Sequence, residues 1–394
     1  MNNWLPLLAT LFIQAMVSMA LLTLPVMAPV AAKDLAVSPA LVGIYVALTY
    51  LGAMISSLTS GTSVTRFGPI RVSQLGLILC AMGLCLCAVP WLPATGLGAV
   101  LIGLGYGPIT PASSQILART TPAHQMSLVF SIKQTGVPLG SMLAGAIVPS
   151  LMLGIGWQLS LISVALVCLI SAILSQPLRH EMDQHRQVGM KLNFNTLLAP
   201  IRMVLSHSTL ATMAGCSFMF SMVQVSLTTY LVTYLHDDLS YGLVAAGLLL
   251  SVTQMGGIVG RVAWGYVADH YLSSQKMLAG LAISMTLCAA TTPLLLPILP
   301  VYGVWTLLLL FGASAIGWNG VYLAEVARQA PEGKASVATG GTLTFTFLGV
   351  VVGPPLFGGL ATLFGTYGAG FWALAVISSF CSFVLLRLKP SPAN

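Results

Sequence analysis

Charge is what this sequence lacks most. Eight acidic and 15 basic residues among 394 leave 6% charged positions against 57% hydrophobic ones, and mean hydropathy is +0.94. Ordinary soluble domains carry roughly 25% charged residues. Too few are present here to coat a water-facing surface, which excludes a soluble enzyme and a disordered chain. Paired cysteine motifs are missing as well. Cys80, Cys85, Cys87, Cys168, Cys216, Cys288 and Cys381 form an odd total with no CxxC and lie inside apolar runs, against disulfides and zinc. No Walker-type glycine loop supports ATP-driven work. No Ser/His/Asp set or metal-ligand cluster lies within the apolar runs, and all six histidines fall in loops or at run ends. Catalysis, a cofactor and a buried His relay are therefore not expected. The net charge of +7 and pI near 9.1 do not imply nucleic acid, because the basic residues sit in the gaps between apolar runs.

What the sequence has in abundance is apolar length. Runs fall at about 4–30, 40–60, 72–91, 96–118, 126–150 and 157–176. They resume at about 208–235, 241–265, 277–297, 301–327, 336–363 and 367–387. A helix that crosses the hydrocarbon core needs about 20 apolar residues, so the pattern predicts twelve transmembrane helices, numbered here in chain order. The first run is far longer than the ~7–15 apolar residues of a signal peptide, and Met1-Asn2-Asn3 carries no positive side chain; it is read as a retained helix. The gap from Gln176 to about Ser206 holds Arg179, Glu181, Asp183, Arg186, Lys191 and Arg202 and reads as a linker. The expected organisation is a six-helix bundle over 1–176, a cytoplasmic linker over 177–206 and a second six-helix bundle over 207–394.

Orientation follows from Lys and Arg. Twelve of the 15 lie after even-numbered runs or at the C-terminus, only Lys33 follows an odd-numbered run, and Lys133 and Arg261 lie inside runs. The excess of cations marks the cytoplasmic side, so both termini are expected there. The halves also repeat. A shift of 204 residues places Asp34 on Asp238, Gly43 on Gly247, Gly52 on Gly256 and Gly61 on Gly265. A shift of 209 places Arg119 on Arg328, Pro122 on Pro331, Ser127 on Ser336 and Gly140 on Gly349. Parallel repeats of this kind belong to one secondary-transporter architecture, with a site between the halves near the bilayer midplane.

The loop after run 2 reads Gly61-Thr-Ser-Val-Thr65-Arg66-Phe-Gly68-Pro-Ile-Arg71, and the second half repeats it as Gly265-Tyr-Val-Ala-Asp269-His270. This resembles the loop signature G-x-x-x-D-R/K-x-G-x-x-R/K of the major facilitator superfamily, and with the six-plus-six repeat the resemblance covers the whole chain. It implies an all-α membrane protein of twelve transmembrane helices, in two pseudo-symmetric bundles that work by alternating access. The family's signature acid is replaced by Thr65 in the first half and present as Asp269 in the second, which implies an asymmetric cytoplasmic lock. Arg66, Arg71, Arg119, Asp269, Glu325 and Arg328 are the gating candidates on that side, and Asp34 and Asp238 on the outer side. The drug–proton antiporters of the family carry G-P-x-x-G-G on helix 5. Helix 5 lacks it here, and helix 1 has no acid between Leu5 and Val30.

A charge at mid-bilayer costs about 2.5–3.5 kcal/mol or more, so Lys133 and Arg261 carry the most information. Both lie about eight residues, or ~12 Å, inside the cytoplasmic boundary. Spacing places Lys133 on the stripe of Gly136 and Gly140, and Arg261 on that of Gly257 and Gly265; both stripes are expected to face the seam between bundles. Two cations approaching in low dielectric repel unless an anion lies between them, so the pair is expected to hold an organic anion, with Arg261 as a carboxylate fork. Arg261-x-x-x-Gly265-x-x-x-Asp269 resembles helix 8 of the monocarboxylate and oxalate porters, where the resemblance implies that this arginine contacts a carboxylate. Those porters add a lysine on helix 1 or 11, absent here, and Lys133 is expected to serve as the substitute second cation.

Gln14, Tyr106, Gln134, Gln224, Gln254, Trp318 and Asn319 are the uncharged cavity-lining candidates, each with helix–helix packing as the competing reading. The function expected is secondary transport of a small organic anion, a carboxylate, across the inner membrane by a monomer. The coupling ion is left open, with Glu325 or Asp34 as proton-carrying options. Drug or metabolite efflux by proton antiport is the alternative.

Overall fold

The computed structural model describes residues 4–120, 126–184, 186, 199–330 and 335–387. Twelve helices are long and apolar enough to span a membrane. In the first half these are α1 (Leu5–Val26), α2 (Pro39–Ser57), α3 (Pro69–Cys87), α4 (Leu92–Leu117), α5 (Ile132–Ile155) and α6 (Trp157–Leu174). In the second they are α7 (Ser208–Asp238), α8 (Leu243–Ala268), α9 (Ser274–Leu295), α10 (Val301–Val326), α11 (Ala338–Phe364) and α12 (Gly368–Arg387). Each expected run has its helix. Large apolar side chains such as Leu153, Ile173 and Leu363 lie exposed on outer faces, as expected of surfaces solvated by lipid rather than water. All seven cysteines are free thiols.

The chain forms two compact units, Met1–Asn193 with Gly242–Ser251, and Phe194–Tyr241 with Val252–Asn394. The outer end of α8 groups with the first unit because Gly247 and Gly145 leave no room for a Cβ between α8 and α5, and the Ser251 hydroxyl donates to the Met142 carbonyl at 2.8 Å.

Within each unit the repeat appears as packing. In the first, a Cβ on Gly103 of α4 would strike the Thr49 carbonyl of α2, and one on Gly52 would strike the Val100 carbonyl. In the second, Gly312 of α10 faces the Thr253 carbonyl of α8, and Gly256 faces the Leu309 carbonyl. The four pairs correspond residue for residue under the shifts of 204 and 209. Small residues let helix backbones meet in lipid, where apolar burial drives association little.

The outer ends repeat too. The Trp157 indole N–H donates to Asp34 Oδ2 at 2.6 Å, tying the chain after α1 to the start of α6. The Thr366 hydroxyl and the Tyr367 amide donate to Asp238 Oδ2 at 2.7 and 2.8 Å, tying the end of α7 to the start of α12. Both acids, read from sequence as outer-gate candidates, thus staple helices within their own bundle.

Several spans are discontinuous. α4 breaks at Gly107 and Pro108 into Leu92–Tyr106 and Ile109–Thr120. α5 continues a short helix, Met126–Gln134, that breaks at Thr135 before Gly136–Ile155. α10 breaks at Trp318 between Val301–Gly317 and Asn319–Gln329. Proline explains the break in α4, since it supplies no N–H and clashes with the preceding turn.

Candidate functional site: a buried lysine at the helix breaks

Breaking a helix inside the bilayer leaves backbone carbonyls at the end of one half and N–H groups at the start of the next, each a partial charge. In the first bundle two such breaks meet one cation. Lys133 lies in the last turn of Met126–Gln134, where the helix dipole favours positive charge. Its side chain is 1% exposed. Nζ donates to Gln14 Oε1 of α1 at 3.1 Å and to Thr110 Oγ1 of α4 at 3.3 Å. Thr110, next to the first residue of the half-helix Ile109–Thr120, donates its own hydroxyl to Gln14 Oε1 at 3.1 Å. Two neutral side chains and one ammonium, from three helices, therefore close a triangle.

The triangle is not saturated. Gln14 is fully buried, and its Nε2 has no hydrogen-bond partner among the described residues. One turn further along α1 the Ser18 hydroxyl is likewise buried without one. An unmade bond of this kind costs about 1–3 kcal/mol, and native proteins rarely carry it without a reason. Gln14 Oε1 receives two donors while its amide N–H groups, beside a cation, lack an acceptor. An anion would supply it.

The expected direction of the glycine stripe needs correction. Gly136 and Gly140 lie against α1, where Cβ atoms would meet Gln14, Ala15 and Ser18, so this face packs inside the first bundle. Lys133 turns toward α1 and α4 within that bundle. The second stripe also differs. Gly257 faces Ile316 of α10, whereas nothing lies within 4 Å of a Cβ on Gly265.

In the second bundle Arg261 is half-buried, and its Nε donates to the Ile316 carbonyl at 3.2 Å. That carbonyl belongs to the last turn of Val301–Gly317, so this cation also sits at the C-terminal end of a half-helix. Just beyond it, the Trp318 indole N–H and the Asn319 amide donate to Gln224 Oε1 of α7 at 2.9 and 3.3 Å. Phe220 and Tyr322 pack their rings on Trp318, with centroids 5.2 Å away in each case. Among the remaining candidates, Tyr106 meets Tyr50 edge to face at 5.9 Å, Gln134 is half-buried and Gln254 is buried.

The gating candidates divide. Glu325, 5% exposed, accepts from Gln329 Nε2 at 2.9 Å and lies 3.7 Å from Arg328 Nη1. Arg328 donates to Ser274 Oγ at 2.7 Å at the start of α9. Arg66 is exposed beside the Phe67 ring, and Arg71 Nη1 donates to Gln74 Oε1 at 3.4 Å. The side chains of Arg119 and Asp269 lie outside the described residues.

Two residues that matter here were not singled out from sequence. Thr110 had one available signal, its position just past the helix-breaking Gly107-Pro108. Asp183 was counted as linker charge. It is buried, accepts the Ile70 and Arg71 amides at 2.8 and 3.1 Å, and so caps the N-terminus of α3 beside Gly68. Burial pushes its carboxyl above the usual carboxylate range, while those two N–H groups, Arg179 and Arg186 pull it back. Gly68 has φ +93° and a Cβ there would overlap this carboxyl, so glycine is required on both counts. The first-half signature loop, with Thr65 in place of its acid, thus receives a carboxylate from the segment after α6. No group of three or more His, Cys, Asp or Glu residues able to hold a metal occurs among the described residues.

The profile of the Major Facilitator Superfamily matches residues 7–349. An uncharacterized MFS-type transporter of Mycobacterium tuberculosis is 27% identical over 299 residues, 75% of this chain and 65% of that protein, so the chain spans about two-thirds of that relative's length. The hexuronate transporter of Bacillus subtilis is 22% identical over 92% of this chain and 89% of its own. The quinolone resistance protein NorA of Staphylococcus aureus is 24% identical over 86% and 85%. Among solved structures, the nucleoside transporter NupG superposes with a TM-score of 0.77 at 16% identity, over 96% of this chain and 99% of that one, a likeness of fold. Twelve spanning helices, repeated packing in each unit and a family match across most of the sequence agree: this chain is a member of the Major Facilitator Superfamily.

Proposed function

We propose that the chain is a secondary transporter that moves a small organic anion, a carboxylate, across the cytoplasmic membrane by alternating access. The observation that carries this reading is the buried Lys133–Gln14–Thr110 triangle with its unfilled amide donor. A carboxylate entering it would accept from Lys133 and from Gln14 Nε2, exchanging neutral acceptors for a charged one; such bonds are roughly twice as strong as neutral ones. Because the two half-helix ends are fixed by the breaks in α4 and α5, the donors are in place before substrate arrives. Arg261 is the second cation of the proposal, with Gln134, Tyr106, Gln224, Gln254, Trp318 and Asn319 as its candidate contacts for the substrate's uncharged part. The hexuronate transporter, whose name denotes an organic anion, supports the substrate class.

A ligand drives alternating access only by binding one state better than the other. An anion does so here if closure completes its bonds to the cations. On this reading Glu325 with Arg328, and Asp183 on α3, hold the cytoplasmic ends, and Glu325 is the acid that a proton-coupled cycle would use. The Lys and Arg distribution supports cytoplasmic termini.

Drug efflux is the second reading, favoured by the likeness to NorA. A thermal-shift screen of the purified protein separates the two. Carboxylates and sulfonates should stabilise it while uncharged analogues and quinolones do not. Stabilisation by the uncharged compounds or quinolones alone would overturn the anion reading.

A further inference from the structure

Where the chain leaves α6 it does not run straight into water. A one-turn helix, Arg179–Met182, folds back on the bundle, with Met182 in an apolar cluster with Ile70 and Ile116 and Asp183 on the N-terminus of α3. Beside this docked turn opens a polar basin of about 450 Å³ lined by Gln176, Arg179, His180, Asp183, Gln184 and Arg186. Its charge is one-sided. Both oxygens of Asp183, the only carboxylate among the described lining residues, are taken by the Ile70 and Arg71 amides, and Arg179 Nε is 3.7 Å from Oδ2. Two guanidinium groups and an imidazole thus face a cavity whose negative charge is already committed to the protein.

The helices that lead to the basin carry exposed apolar side chains. Ile173 and Leu174, the last apolar residues of α6, are 70% and 65% exposed, and Ile170 and Leu166 continue the same outward surface. On the opposite helix Leu75, Ile78 and Met82 of α3 are exposed in the same way. An apolar wall that runs directly into a basic basin matches a phospholipid, acyl chains along the helices and phosphate among the arginines.

We infer that this basin binds the headgroup phosphate of an anionic phospholipid in the leaflet bordering the linker. Basic pockets at that level select anionic lipids through charge, and arginine adds a planar two-pronged match to phosphate. Bound lipid would stabilise the docked turn and with it the cap on α3, which links membrane composition to the loop at Gly68. The site is separate from the Lys133 triangle and does not depend on what the protein transports.

The test is native mass spectrometry of the full chain, delipidated in detergent and titrated in parallel with phosphatidylglycerol, phosphatidylcholine and inorganic phosphate. Phosphatidylglycerol should bind at least fivefold more tightly than phosphatidylcholine. The variant R179Q/R186Q should lose that preference, and R179K/R186K, which keeps the charge, should retain most of it. Equal binding of the two lipids, or an unchanged preference in R179Q/R186Q, would overturn the inference. Inorganic phosphate that competes with phosphatidylglycerol at equal concentration would overturn the lipid assignment in favour of a soluble anion. Circular dichroism of both variants distinguishes lost binding from lost fold, and the lysine variant supplies the comparison if the glutamine variant unfolds.

Discussion

The two bundles share a scaffold and differ in what they mount on it. Glycine-to-carbonyl contacts between α2 and α4 recur between α8 and α10, and the Asp34 staple recurs at Asp238. At the broken fourth helix of each bundle the next half-helix begins with a short polar side chain, Thr110 in one and Asn319 in the other, which correspond under the shift of 209. Each donates to a glutamine on the first helix of its bundle, Gln14 or Gln224. There the likeness ends. The first bundle completes its polar group with the buried ammonium of Lys133, the second with the indole of Trp318 in an aromatic cluster. Packing repeats because two like six-helix units need the same close approaches.

The contrast is sharpest at the two cations. Lys133→Glu reverses the only charge in the triangle and should reduce carboxylate uptake by proteoliposomes at least a hundredfold. Arg261→Gln, on a half-buried side chain, should cost about tenfold, in line with the low end, about 1.5 kcal/mol, of the range for a hydrogen bond to a charged group. Equal losses would erase the distinction between the bundles. The scaffold is expected to behave in the opposite way, with matched effects. Gly103→Val and Gly312→Val each force a side chain against a carbonyl. Each should lower stability by about 1–3 kcal/mol, the usual cost of overpacking, measured by thermal unfolding in detergent. Smaller still, Asp34→Asn and Asp238→Asn should each cost about 1 kcal/mol in the same assay, since an amide oxygen still accepts but without the charge. A large inequality within either pair would show that the repeat no longer carries the same load in both halves.

Much of this was legible in the sequence because membranes constrain it so tightly. Spans follow from apolar length, and the correspondence of Asp34 with Asp238 and of Gly52 with Gly256 follows from the repeat. Lys133 stood out because a lysine in an apolar run is expensive. What could not be read was direction. A stripe such as Lys133, Gly136 and Gly140 fixes a helix face, but the neighbour that face meets depends on the packing of the whole bundle, and that neighbour is α1. Thr110 was missed because one threonine in a helix carries no signal until the break at Gly107-Pro108 places it at a half-helix start. Asp183 was missed because its partners, the Ile70 and Arg71 amides, lie more than a hundred residues away, and their availability depends on where α3 begins.

The central claim is that Lys133 recognises a negative charge. The most direct measurement is the thermal stabilisation of wild type and Lys133→Gln by the carboxylate that stabilises the wild type most in the screen above and by the neutral amide of the same acid. The account predicts that the carboxylate stabilises the wild type, that its amide does not, and that Lys133→Gln removes the difference while melting as one cooperative transition. Equal stabilisation of both proteins by the carboxylate would contradict it.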